Sequence, residues 1–212
     1  MTKRNYQLEL EQKIKELQGE KKRLLLHCCC APCSSYVLEY LHSYFEITIF
    51  FYNPNITREE EYRKRKEELL RYLREVSFGD EIHIQDADHE PQCFLEIAKG
   101  HEDDPERGIR CERCFRLRLE KTARQAAEDA YDYFCTTLSI SPHKNAELLM
   151  QLGEELGNCY GVPYLPSDFK KKNGYKRSIE LSKEYQLYRQ DYCGCVYSAA
   201  AREHGGKHER TT

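Results

Sequence analysis

The chemistry of this chain is concentrated in its cysteines. The stretch "LLLHCCCAPCSS", Leu24 to Ser35, sets Cys28, Cys29, Cys30 and Cys33 within six positions, after an apolar run and ahead of a helical stretch. Two further pairs lie far off: Cys111 and Cys114 as C-x-x-C in "GIRCERCFRLRLEKTA", and Cys193 and Cys195 as C-x-C around Gly194 in "DYCGCVYS". One C-x-x-C alone is a weak signal. The three motifs together predict a sulfur-ligated metal site. Four thiolates would close a structural zinc site, and the two pairs suffice for that. That solution leaves the triple cysteine unexplained, and the surplus of thiols points to an iron–sulfur cluster with a second metal beside it. The ferredoxin-type run C-x-x-C-x-x-C-x-x-x-C-P is absent. Cys93, Cys135 and Cys159 stand alone in apolar sequence and are expected to be structural.

Eleven cysteines in a chain of 212 residues would suggest disulfides in a secreted protein. The N-terminal "MTKRNYQLELEQKIKELQGEKKR" is charged and has no apolar signal segment, so a cytosolic protein with reduced, metal-binding thiols is expected. The longest apolar runs, such as "ITIFFY", are too short to span a bilayer, and no membrane association is expected.

Positioning three distant cysteine motifs requires a framework, and the pattern supplies one. Short β-rich runs alternate with longer helical ones. An amphipathic helix using Leu10, Ile14 and Leu17 precedes a strand over 23–28 and a helix from Ala31. The unbroken apolar run at 46–52 suits a strand buried on both faces. Thr57 and Glu60 have the spacing of a capping box opening a helix of about twenty residues. Further strands are expected at 81–86 and 131–137, a helix at 143–158, and a short strand with a loop at "VPYLPSDF". Alternation of this kind predicts one α/β domain with a parallel sheet, spanning 1–205, and a flexible tail at 206–212. Ligands in such sheets bind beyond the carboxyl ends of the strands, where the triple cysteine falls. The N-terminus of the following helix favours thiolate over thiol.

The net charge of −3 hides an uneven distribution. Ten acidic residues against Lys99 alone occupy 80–106, and seven basic residues against Glu112 and Glu120 occupy 107–124. "KKKNGYKR", Lys170 to Arg177, carries five positive charges and no negative one. Such clusters bind phosphates or simply form solvated faces.

The segments "HCCCAPC", "YNPNI", "CERCFRLRL", "TTLSISPHKN" and "FKKKNGYKRSIELSKEYQLYRQDYCGCVYS" resemble, in collinear order over about residues 5 to 200, the QueH-type epoxyqueuosine reductases. The resemblance implies a HUP-like Rossmann-type fold with flanking helices and a cytoplasmic enzyme. It implies reduction of epoxyqueuosine to queuosine at the wobble position of tRNAs with GUN anticodons (Tyr, His, Asn and Asp). It also implies a 4Fe–4S cluster with an adjacent mononuclear metal, thought to be iron, no cobalamin, and an external electron donor such as ferredoxin or flavodoxin. Carried onto this chain, the ligands are Cys28, Cys29, Cys111, Cys114, Cys193 and Cys195, with Cys30, Cys33 and His27 as additional ligands or outer partners. His27 reads equally as a core histidine hydrogen-bonded within the strand.

Deoxygenating an epoxide takes two electrons, two protons and help for a poor leaving oxygen, which an adjacent metal and a proton donor would supply. Asp191 and Tyr192, just before the C-x-C pair, are candidate donors; a turn residue and a packed ring are the plainer readings. Arg110, Arg113, Lys170, Lys171, Lys172 and Lys176 are expected to contact tRNA, with Tyr175, Phe115 and Tyr188 near an extruded base. Two other classes share features with the chain. A PP-loop tRNA-thiolating enzyme would need a glycine-rich ATP loop after the first strand, and "HCCCAPCSS" has no glycine. A non-catalytic zinc-binding RNA module would be colourless.

Overall fold

A computed structural model of the chain describes residues 4–205, so the tail expected at 206–212 lies outside the described residues. Four parallel strands form one sheet: β1 (Lys22–His27), β2 (Phe45–Phe50), β3 (His83–Gln85) and β4 (Tyr133–Thr136), in the order β3-β2-β1-β4. Eight helices flank it: α1 (Tyr6–Glu16), α2 (Ala31–Leu41), α3 (Glu59–Glu75), α4 (Pro91–Ala98), α5 (Ile109–Glu128), α6 (Ala146–Tyr160), α7 (Gly174–Glu184) and α8 (Val196–Gly205). None of them is long and apolar enough to cross a membrane. The expected α/β class and parallel sheet are therefore found.

The sheet is held by its two central strands. Leu24 pairs with Ile47 and Leu26 with Ile49, and on the other edge Leu24 pairs with Tyr133 and His27 with Thr136. Leu24, Leu25, Leu26, Ile47 and Ile49 are fully buried, so β1 carries apolar side chains on both faces, as a doubly covered parallel strand must. The chain leaves β1 toward β2 and β3 on one side, and returns to β4 on the other. That reversal opens a crevice beyond the carboxyl ends of β1 and β4. Cys28 to Cys33 follow β1 there, and a 3-10 turn (Thr137–Ile140) with the loop 141–145 follows β4.

Local signals were overridden at three places. Thr57 and Glu60 do not form a capping box: α3 starts at Glu59, its cap residue Arg58 makes no side-chain cap bond, and the Thr57 N–H donates to the Gly194 carbonyl at 3.3 Å. A tertiary partner has taken the residue that would have capped. The strand expected at "VPYLPSDF" reduces to a single bridge between Tyr164 and Phe134. Cys159, expected in apolar surroundings, is exposed, whereas Cys135 is buried and Cys93 half-buried. Helix α7 packs closely on α2, because a side chain at Gly174 would lie 2.0 Å from the Phe169 carbonyl and 2.4 Å from the Tyr36 ring. That close approach carries Tyr175 and Ser178 to the crevice.

Candidate metal centre and substrate cleft

Cys30 has extended backbone (φ −172°, ψ 159°) as the residue capping α2, which lets the chain turn sharply from strand to helix. The turn gathers the sulfurs of Cys29, Cys30 and Cys33 within 4.8 Å of one another, with Cys29 Sγ and Cys30 Sγ 3.8 Å apart. Hydrogen bonds from Cys30 and Cys33 hold the Cys29 thiol well below its ordinary value, while burial pushes Cys30 up to about 12. One thiolate shared by three sulfurs is a ready metal donor set. Cys28, also expected among the ligands, is fully buried next to the trio, and burial pushes its thiol far up.

The other two motifs meet beside this trio. Cys111 and Cys114 lie on the first two turns of α5, and Cys111 Sγ accepts from the Arg107 N–H at 3.3 Å. Cys195 Sγ accepts from the Ser198 N–H at 3.3 Å, and Cys195 packs with Cys114 against Phe94 and Ala98. The Cys193 thiol is held well below its usual value by a hydrogen bond from Cys195, aided by the charges of Lys144 and Arg118. A cavity of about 320 Å³ is lined by Cys111, Cys193 and Cys195. An adjoining cavity of about 410 Å³ is lined by Cys29, Cys33 and Cys193. Both share Glu106, Pro142, His143, Lys144 and Cys193, so Cys193 faces both spaces.

Residues not singled out from the sequence as site residues build the walls. Arg65, 2% exposed, donates from Nη1 to the Cys193 carbonyl at 3.1 Å and from Nη2 to the Tyr192 carbonyl at 3.3 Å, while its Nε bonds Glu61 at 2.7 Å. The C-x-C turn is thus pinned to α3 from about 130 residues away in sequence. Gln190 Nε2 donates to Cys30 Sγ at 2.9 Å, and Asn55 Nδ2 donates to Cys193 Sγ at 3.7 Å. Several buried polar atoms here have no protein partner: Gln190 Oε1, Asn55 Oδ1 and Arg118 Nη2. Orphaned donors and acceptors beside a set of thiols fit a site built around a bound group. Seven sulfurs from three segments fit a metal group larger than one zinc ion.

The other expected site residues divide. His27 is fully buried, with Nε2 on the Tyr52 carbonyl at 3.0 Å and Nδ1 on Thr136 Oγ1 at 2.8 Å. A carbonyl only accepts, so Nε2 carries the proton and Nδ1 takes the Thr136 hydroxyl; no ring nitrogen is left for a metal. Burial lowers its pKa to about 4, so the ring is neutral. Asp191 and Tyr192 both line the larger cavity, but the Asp191 carboxylate is paired with Arg202. Arg110 is buried, donates to the carbonyls of His101 and Glu102, and lines the smaller cavity. Lys170 bonds Asp168 at 2.7 Å and Lys172 pairs with Glu11. Lys171, Lys176 and Arg113 are exposed. Tyr175 lines the larger cavity and Phe115 the smaller one; Tyr188 is instead held by Glu61 and lies under Lys64.

The class these features define is a doubly covered parallel α/β domain with a thiol-rich centre, able to hold a metal, in the crevice where its strand order reverses. The family model described as epoxyqueuosine reductase QueH matches residues 24–201. Three relatives carry that same description. The one from Staphylococcus epidermidis is 46% identical over 188 residues, covering 87% of this chain and 79% of that protein. The one from Streptococcus pyogenes is 43% identical over 199 residues, covering 92% and 78%. The one from Thermotoga maritima is 35% identical over 179 residues, covering 84% and 91%. The chain belongs to the QueH epoxyqueuosine reductase family, and it is an oxidoreductase.

Proposed function

We propose that this enzyme reduces epoxyqueuosine to queuosine at the wobble position of tRNAs with GUN anticodons, releasing the epoxide oxygen as water. The reductase domain is residues 1–205, and the working location is the cytoplasm, where tRNA and reduced thiols coexist. The observation that carries the reading is the convergence of Cys29, Cys33, Cys111, Cys193 and Cys195 on two joined cavities, with Cys30 beside Cys29 and Cys114 packed on Cys195.

Those seven sulfurs would hold a 4Fe–4S cluster and an adjacent iron, which supply single electrons from a ferredoxin or flavodoxin and a Lewis acid for the epoxide oxygen. The chain's own residues do the rest. The larger cavity, with Tyr175 at its wall, has room for a base extruded from the anticodon loop. Burial and then Glu61 raise the Tyr192 pKa, so its hydroxyl keeps its proton at neutral pH and can give it to the departing oxygen. Arg65 holds the backbone that carries Tyr192 and Cys193 in place. Lys171, Lys176 and Arg113 meet the backbone phosphates of the anticodon arm.

The test is direct. Protein purified without oxygen should be brown and contain iron and acid-labile sulfide. With a strong reductant it should convert epoxyqueuosine in tRNA to queuosine, read by mass spectrometry of digested nucleosides. Stoichiometric zinc without sulfide after reconstitution with iron, and no change in the tRNA nucleosides, would refute it.

A further inference from the structure

Helix α5 buries a cation that no carboxylate among the described residues meets. Arg118, one turn beyond Cys114, is 1% exposed and lines the larger cavity with Cys29, Cys33 and Cys193. Its Nε donates to the Cys114 carbonyl at 3.2 Å, and its Nη2 has no partner. Among the described residues no carboxylate bridges it. Lys144, on the loop after β4, lines the same cavity and likewise has no carboxylate partner among the described residues. The two cations lie by the same aromatic ring, with Arg118 Cζ 5.6 Å and Lys144 Nζ 5.5 Å from the Phe115 centroid.

Two positive charges brought together out of water repel each other, and a ring quadrupole only partly offsets that. Arginine does not deprotonate in proteins, so its charge must be met by an anion. Burial works against the Arg118 charge, and the sulfurs of Cys114, Cys193, Cys29 and Cys111 outweigh it. Cys29 belongs to the trio after β1, and the other three to the second group. The arginine therefore bridges the two halves of the thiol set.

We infer that Arg118 and Lys144 are the built-in counter-charges of the metal centre and set how readily it accepts an electron. The inference rests on the metal-centre reading above. Adding an electron makes the centre more negative, and a nearby fixed cation stabilises that state; removing the cation makes reduction harder. Both act through the sulfurs and are positioning residues, not groups that touch the epoxide.

The experiment is a potentiometric titration of the anaerobically loaded full-length protein, followed by electron paramagnetic resonance, for wild type, Arg118→Met, Arg118→Lys and Lys144→Met. Each methionine variant should bind iron and sulfide but shift the one-electron reduction equilibrium at least about tenfold toward the oxidised state, about 59 mV. Arg118→Lys, which keeps the charge and loses the fork, should stay near wild type. Loaded methionine variants with wild-type potentials would overturn the inference while leaving the metal centre intact. If Arg118→Met does not fold or load, Lys144→Met, on a loop, carries the test alone, and an unshifted potential there overturns it. A potential in Arg118→Lys as low as in Arg118→Met would also overturn it, by making the guanidinium geometry rather than its charge the active feature. Wild-type protein that takes up no iron or sulfide would instead refute the metal centre itself.

Discussion

The C-x-C turn depends on one residue without a side chain, and Gly194→Ala should show what that geometry costs. Gly194 has φ +112°, which an L-residue adopts only under strain of about 1–3 kcal/mol. A Cβ there would lie 2.9 Å from Ile56 Cγ1 and 3.2 Å from Arg65 Nη1. Neither neighbour yields easily: Ile56 is fully buried, and Arg65 is held by the Cys193 and Tyr192 carbonyls and by Glu61. Overpacking a rigid site costs about 1–3 kcal/mol more. Taking a total near 3 kcal/mol, and about 2–4 °C of melting temperature per kcal/mol for a chain this long, the variant should melt about 6–12 °C lower. Gly161 provides the control, since φ is +74° but nothing lies within 4 Å of its added Cβ. Gly161→Ala should cost only about 1 kcal/mol, from the backbone alone. Calorimetry of both metal-free variants, with iron content after loading, makes the measurement. Equal melting temperatures for the two variants, or a fully loaded Gly194→Ala melting with wild type, would refute the idea that Arg65 and Ile56 clamp the turn.

Single serine replacements of Cys29, Cys111, Cys114, Cys193 or Cys195 should each lose iron and reductase activity, whereas Cys93→Ser and Cys159→Ser should keep both; iron and sulfide assays decide it. Cys135→Ser should also keep the metal, since its sulfur faces Ser167 and the Leu165 carbonyl at 3.4 Å each rather than the site. Arg65→Met should destabilise by about 2–4 kcal/mol in chemical denaturation, because it leaves the half-buried Glu61 carboxylate to the Tyr188 hydroxyl and frees two carbonyls of the turn; a loss below about 1 kcal/mol would contradict the pinning role. Lys171→Glu with Lys176→Glu should weaken tRNA binding and flatten its salt dependence, by about one in logarithmic slope for each phosphate no longer neutralised, without altering the absorbance of the metal centre. Unchanged tRNA affinity would mean that the substrate enters by another face.

The alternation of apolar runs and amphipathic stretches determined the α/β class and the parallel sheet, because strand and helix periodicities are local. The three cysteine motifs announced a sulfur site, because their spacing is also local. Local rules failed where a distant partner competed. Thr57 gave its N–H to Gly194 instead of helping to cap α3. His27, beside the cysteines in sequence, spent both nitrogens on Thr136 and Tyr52. Arg110, one of six arginines in the basic run 107–124, turned inward onto two carbonyls. The sharp entry into α2 decided which sulfurs meet, gathering Cys29, Cys30 and Cys33 within 4.8 Å of one another. Arg118, Lys144 and Gln190 lie within the motifs of the resemblance and Arg65 outside them, but none of the four announced a role at the sulfurs, since lysine, arginine and glutamine usually sit in water. Only the tertiary structure buries their charge and dipoles against the sulfurs. Burial makes those groups consequential, because an unpaired charge or amide away from water must find its partner within the site.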